Sequence, residues 1–482
     1  MKLTYFMLVA MTSLGIGVVI MMFSFTVAGL ILLMSLLIFL LSGLTAWLRY
    51  RHYGLMDPFL LFTLFFALYN GPFLLEVAWS ISKGLTPSSM FPVEFTSETY
   101  LKAALASCFA AAGLHFSAVF VSLGHKKKRN TAVQSIIPTP WVGILVFFFG
   151  LVLFILDLQR IGGFWSSLSL PREVRLNLLS ELRFSLPYAP FLFSGLACVW
   201  LDYARSYLRG FWALGFLGLW CSLMLIQGDR RFLSYAILIA IAAYTAVRYP
   251  KLRIKLKFAL AFTVIFVAFA FFSQARWLIQ PLISGQMSLR EAMEWVKQNA
   301  SPLWLLPGKN EFAGPYFTLL YSIEYLYPTD TPLLGASYLQ AVPNLLPRSL
   351  YPGDKPSTLD FAFADLIHQR YMSWREATIG WGYSPVAEAY NNFRLWGIPL
   401  VFFVIGLFWE WVARLRYKNW VGILLYALLI PQTLNLNRTT IAWSFQEGVY
   451  FTGALFFVLV LRALLVPISR GKAFVERAPK SR

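Results

Sequence analysis

Short polar stretches break an otherwise apolar chain, and their residue types suit two tasks: holding a phosphate and moving a proton. Gln227-Gly228-Asp229-Arg230-Arg231 offers adjacent guanidinium groups after a glycine that permits a sharp turn. A guanidinium is a planar fork of donors that pairs with phosphate oxygens and tolerates partial removal from water better than an ammonium group. Asp229 beside them reads first as an ion-pair partner for a neighbouring arginine and second as a base. Further on, Val342–Pro356 is punctuated by Pro343, Pro347, Pro352 and Pro356. Their fixed φ interrupts helix and would hold Arg348 and Lys355 in defined positions. In Asp360–Tyr371, Phe361, Phe363, Ala364, Ile367 and Tyr371 can form one apolar helix face, with Asp365 and His368 at i,i+3 on another. A carboxylate at that spacing can orient an imidazole for proton transfer. Gly382–Phe393 sets Glu388 among aromatic and amide side chains, Tyr390 and Asn392 among them. Partial burial would raise that carboxyl towards the range of a useful general base. Asn435-Leu436-Asn437-Arg438 adds another cation.

The elements that must position these residues are membrane spans. Of 482 residues, 58% are hydrophobic and 13% charged, with 44 Phe and 17 Trp. A soluble domain of this size is nearer 45–50% apolar and about a quarter charged. The same numbers exclude disorder, and three cysteines, all in apolar stretches, exclude a disulfide scaffold. Stretches long enough to cross a hydrocarbon core of about 30 Å occur twice within 3–48. They recur at about 58–78, 100–122, 138–157, 187–204, 210–227, 232–248, 258–279, 395–413, 419–436 and 441–466. The expectation is an all-α polytopic membrane protein of about twelve helices. Residues 1–279 would hold about nine of them, 280–394 a large outward loop with short helices, and 395–482 about three more and a basic tail.

Charge sets the orientation. Arg49 and Arg51, Lys126–Arg129, Arg205 and Arg209, Lys251–Lys257, Arg414–Lys418 and the tail from Arg470 all fall in alternate loops. By the positive-inside rule that side, with both termini, is cytoplasmic. It accounts for the whole net charge of +19, so the basic balance reports topology and does not call for nucleic acid. The outward side is neutral, and its thirteen arginines outnumber five lysines. The loop at 158–186 carries Arg160, Arg172, Arg175 and Arg183. In the larger loop, Phe312–Tyr327 and Leu334–Leu346 are too short to span and suggest interfacial or re-entrant helices packed on the membrane domain.

Taken in order, these motifs resemble the O-antigen polymerase family, the Wzy-like oligosaccharide repeat-unit polymerases. The likeness rests on Gly228-x-Arg230 opening a span and on Pro347-Arg348…Tyr351-Pro352…Lys355-Pro356. It continues with Ser384-Pro385…Glu388-x-Tyr390-x-Asn392-Phe393 before a late span with Gly397 and Gly406. One departure stands out: many such polymerases have glycine after the Asn-Phe pair, where this chain has Arg394. The resemblance implies an inverting, GT-C-like glycosyltransferase of the bacterial inner membrane. Its partners would be undecaprenyl-pyrophosphate-linked oligosaccharides, the bilayer and a chain-length regulator protein. Such an enzyme moves a growing glycan from its lipid pyrophosphate carrier onto an incoming lipid-linked repeat unit. Arg230, Arg231, Arg348, Lys355 and Arg438 would clamp the pyrophosphate, with Tyr390 and Asn392 also binding substrate. Glu388, or else His368, would be the base. No cofactor or metal is expected, because the outward side has no Asp-x-Asp or Glu-x-Asp pair and fixed cations can stabilise a pyrophosphate leaving group. The neighbouring alternative is an O-antigen ligase handing the glycan to lipid A core. A transporter is less well supported, since charges cluster at span ends and the halves look unlike.

Overall fold

The computed structural model describes residues 26–87, 93–123, 140–163, 186–227, 229–250, 285–299, 313–346, 357–371 and 382–465, with a few single positions between them. The first expected span, that at 258–279, Lys126–Arg129, Arg172, Arg175, Arg183, Gly228, Arg348, Lys355 and the tail from Arg470 lie outside the described residues. Among the described residues every regular element is helical.

The long helices begin with α1 (Val27–Tyr53), α2 (Pro58–Ser82), α3 (Ser97–Leu123), α4 (Pro140–Arg160), α5 (Tyr188–Ala204), α6 (Gly210–Ile226) and α7 (Arg230–Arg248). Short elements follow: α8 (Leu289–Asn299), α9 (Gly314–Glu324), α10 (Ala336–Leu339), α11 (Ala341–Asn344) and α12 (Leu359–Tyr371). The chain returns to long helices with α13 (Pro385–Leu415), α14 (Trp420–Leu429) and α16 (Ile441–Leu465), the last two separated by the single turn α15 (Gln432–Asn435). Seven of these helices are long and apolar enough to cross a membrane by length and composition. Their N-termini follow local chemistry. Asp57 caps α2 through the Leu60 N–H with Pro58 following, and Ser384 caps α13 through the Val386 N–H with Pro385 following. Proline suits the first turn, where its missing donor costs nothing.

The expected boundary at 394/395 coincides with a break in a longer helix. Helix α13 begins at Pro385 and runs through Arg394, where φ 56° and ψ −159° break the helical path. Gly397 lies under that break, and a Cβ there would overlap the Phe393 Cβ. Beyond it α13 packs closely on α3, where Gly113 lies against the Pro399 carbonyl and Gly406 against Ser117. Small residues let helix backbones approach where apolar burial alone gives no drive.

Two cores result. Phe66 of α2 meets Phe402 of α13 at 5.5 Å and Phe62 meets Trp409 at 5.6 Å in the first, which gathers α1, α2, α3, α9 and α13. In the second, Phe193 of α5 meets Trp220 of α6 at 6.2 Å and Phe451 of α16 at 5.7 Å. Helix α14 joins them, giving Tyr426, Ala427 and Leu429 to one core and Ile423, Leu424 and Leu428 to the other.

At the end assigned to the cytoplasm, charges that the sequence reading used only for topology form a buried cluster. Arg49 donates to Asp57 at 2.7 and 2.9 Å and to Glu410, which also accepts from Tyr53 at 3.0 Å and Arg414 at 2.7 Å. Arg416 donates to the Tyr53 carbonyl at 2.9 Å and stacks near Tyr53, Tyr417 and Tyr426. The cluster ties α1, α2 and α13 together and lies far along α13 from Glu388.

Candidate functional site

At the opposite end, the connector 430–440 between α14 and α16 runs between the two cores, and the N-termini of α7, α12, α13 and α16 gather around it. Helix N-termini carry unpaired N–H groups and a partial positive charge, so this end of the protein favours anions.

Glu388 sits in the first turn of α13 and is fully buried. One oxygen accepts the Ile441 N–H of α16 at 2.6 Å, and the other accepts the Ser337 hydroxyl of α10 at 2.9 Å. Asn392, one turn on, donates to Ser337 Oγ at 2.6 Å and accepts the Gly335 N–H at 2.9 Å. The N–H groups of Leu333 and Leu334 reach the carbonyls of Asn391 and Asn392 at 3.0 Å each. These bonds seat the 333–339 strap on α13, directly over the carboxylate. Beyond the strap, just after α11, the Leu345 carbonyl accepts from Tyr450 of α16 at 3.2 Å. Among the described residues no arginine or lysine bonds to Glu388; its partners are neutral donors.

A second carboxylate of the cluster, Asp360, starts α12. It accepts the Thr440 hydroxyl at 3.3 Å, next to the Ile441 that Glu388 holds. Burial pushes the Asp360 carboxyl above its ordinary range, and the hydroxyl of Thr358 pulls it partly back. Gly382 has φ 71°, a region that glycine enters without strain. It lets Tyr383 N–H bond the Arg438 carbonyl at 2.8 Å, tying the connector to the start of α13.

On the side of the second core, Arg231 bonds Glu447 of α16 at 3.3 Å. Glu447 also accepts from Tyr235 at 3.1 Å and from Gln432 and Asn435 at 3.0 Å each. Tyr235 lies within electrostatic reach of Arg231, Arg438 and Glu447 together. Arg230 and Arg438 are half-buried.

Of the residues singled out from sequence, the structure gathers Arg231, Arg438, Glu388 and Asn392 around one connector, with Arg230 beside Arg231. Tyr390 is buried against the Arg394 guanidinium, 5.3 Å away, so it supports the break in α13. Asp229 caps α7 by accepting the N–H groups of Arg231 and Phe232 at 3.0 and 3.3 Å. His368 belongs to α12, but its side chain, like Arg348 and Lys355, lies outside the described residues; Asp365 is exposed. Sequence reasoning passed over Ser337, Asp360, Tyr235 and Glu447. Glu447 carried a signal: a lone carboxylate inside an apolar span needs partners. Ser337, in a four-residue helix, carried none. Among the described residues no three His, Cys, Asp or Glu side chains converge as metal ligands would.

No curated protein and no solved structure matches the chain. Residues 344–469 match the family model of the O-antigen polysaccharide polymerase Wzy, the family whose motifs the sequence resembles, and that stretch holds Glu388, Asn392, Arg438 and Glu447.

Proposed function

We propose that the protein polymerises lipid-linked oligosaccharide repeat units at the periplasmic face of the bacterial inner membrane. In this reading the whole chain is a GT-C-like arrangement of about twelve spans with both termini cytoplasmic. The observation that carries it is the gathering of three groups at one connector: Arg438 on it, Glu388 bonded to Ile441 at its end, and Arg231 bonded to the Glu447 that holds Gln432 and Asn435; Arg438, Glu388 and Glu447 lie inside the stretch that matches the polymerase family. Ligand sites favour such junctions between packed units.

The reaction needs fixed positive charge where the pyrophosphate leaves. The acceptor hydroxyl oxygen attacks the anomeric carbon of the donor glycan, and the bond from that carbon to the pyrophosphate oxygen breaks. Arg230, Arg231 and Arg438, with the surrounding helix N-termini, would stabilise the charge developing on the lipid pyrophosphate. Arg348 and Lys355 are further candidates for that clamp. Glu388 would take the acceptor's proton. Its burial beneath Ser337 means that the acceptor reaches it only when the 333–339 strap opens.

Complementation of a polymerase-null strain tests the reading, with the lipopolysaccharide ladder as readout. The wild-type gene should restore long chains, while Arg230→Ala and Arg438→Ala should leave single repeats at normal expression. Long chains restored by either variant would refute the clamp. Accumulation of long but unligated chains in a ligase-null strain, cured by this gene, would identify a ligase instead.

A further inference from the structure

We infer that Glu447 is a positioning residue that sets the direction of the Arg231 guanidinium and holds the connector in place for the pyrophosphate; this rests on the polymerase reading. Its two oxygens are used unequally. Oε2 accepts from Tyr235 on α7 and from Gln432 and Asn435 on α15, so one atom ties α7 to the turn inside the connector. Oε1 accepts from Arg231 Nη1. The Phe232 ring lies 4.7 Å from the Arg231 guanidinium carbon. The side chain remains 28% exposed.

A guanidinium has five N–H donors in a fixed fork. With one edge held by Oε1 and a ring beside it, the remaining donors face a set direction before any substrate arrives. A free arginine samples many rotamers, and that freedom must be lost when it grips an anion. Glu447 removes that loss from the binding and transition-state steps. The carboxylate also matches the charge of the arginine, so the site keeps a cation in place without drawing it into an unpaired burial.

Glu447→Gln separates this role from simple packing. The amide keeps the shape and can leave its oxygen to Tyr235, Gln432 and Asn435, while its NH2 turns donors towards Arg231. The assay uses purified protein in lipid nanodiscs with lipid-linked repeat units extracted from a polymerase-null strain of the source organism, and follows chain elongation. We expect kcat to fall about 10- to 100-fold with KM within about threefold, as for a misplaced rather than a missing binding group. Tyr235→Phe, which removes one donor to Oε2, should lower kcat by about two- to fivefold. In an Arg231→Ala background, Glu447→Gln should change kcat by less than about twofold, since a residue acting through another has nothing left to act on. Melting temperatures measured alongside must stay within a few degrees of wild type for the active-site reading to hold. Wild-type kcat in Glu447→Gln, full additivity with Arg231→Ala, or activity falling only in step with the folded fraction would each overturn the inference. A wild-type protein that fails to elongate chains overturns the polymerase reading first, and the role of Glu447 with it.

Discussion

Arg394 is where backbone and side chain pull in opposite directions, and substitution there gives a result of unusual sign. Its φ of 56° with ψ −159° inside α13 is a conformation that glycine adopts freely and other residues do not. Holding it costs an ordinary residue roughly 1–3 kcal/mol. The arginine offsets this with hydrogen bonds to the carbonyls of Thr329 and Asp330 at 3.1 and 2.8 Å and by stacking over Tyr390. Exposed bonds of that kind contribute about 0.5–1.5 kcal/mol each, and an exposed cation–π contact about 0.5–1 kcal/mol. Arg394→Ala loses these contacts and keeps the strain, so it should destabilise by about 1.5–4 kcal/mol. Arg394→Gly loses the same contacts but relieves the strain, less about 0.5–1 kcal/mol for the freer unfolded chain. Glycine should therefore be more stable than alanine by about 0.5–2 kcal/mol, although in an ordinary helix interior alanine is better by about 1 kcal/mol. Thermal unfolding of the three proteins in one detergent, followed by tryptophan fluorescence, gives the order directly. Alanine equal to or above glycine would refute the strained break and with it our account of why α13 turns where it does.

The buried ion cluster at the far end should matter for stability and leave the chemistry alone. Glu410→Gln uncouples Arg49 from one of its two carboxylates and should destabilise by about 3–5 kcal/mol, read as a lower melting temperature, while folded protein at low temperature still elongates chains. Gly382→Ala places a Cβ 2.7 Å from the Arg438 carbonyl at φ 71°. It should break the Tyr383–Arg438 bond and lower both melting temperature and activity; unchanged values would mean that the connector is not seated through this bond. Asp360 gives a pH dependence. Its carboxyl is raised by burial, so the folded state binds the proton more tightly than the unfolded chain. Stability is therefore highest when the group is protonated and falls as pH rises above the ordinary value of 3.8 towards the raised one. Asp360→Asn should remove that fall, and parallel pH–stability curves for variant and wild type would contradict it.

Much of the architecture was legible because membrane spans are written in simple terms. Apolar length locates them and alternating basic loops sort their ends, and the helices of the structure start or stop near most of the expected boundaries. The helical turns from Pro385 to Phe393, ahead of the break at Arg394, were not anticipated, and for a specific cause. Arg394, beside Asn391 and Asn392, reads as a polar loop edge, but those amides bond back to Ser322, Ser337 and Tyr383, which lets a helix carry them inside. The arginines proposed to hold the pyrophosphate were legible one by one, because arginine at a span end is conspicuous. Their partners were not. Ser337 reaches Glu388 across 51 positions and Arg231 reaches Glu447 across 216, and nothing in local composition marks such pairs.

Sequence alone determined that this chain is built from apolar helices long enough to cross a membrane, roughly where most of them begin and end, and which arginines and carboxylates stand at their ends. Those properties follow from hydrophobic length and charge sign, which act residue by residue. Tertiary structure alone decided that Glu388 is sealed under a strap, that Glu447 holds Arg231 and the connector, and that Arg394 bends α13. Those properties depend on which distant groups meet in a low-dielectric interior, where each buried charge must find its partners.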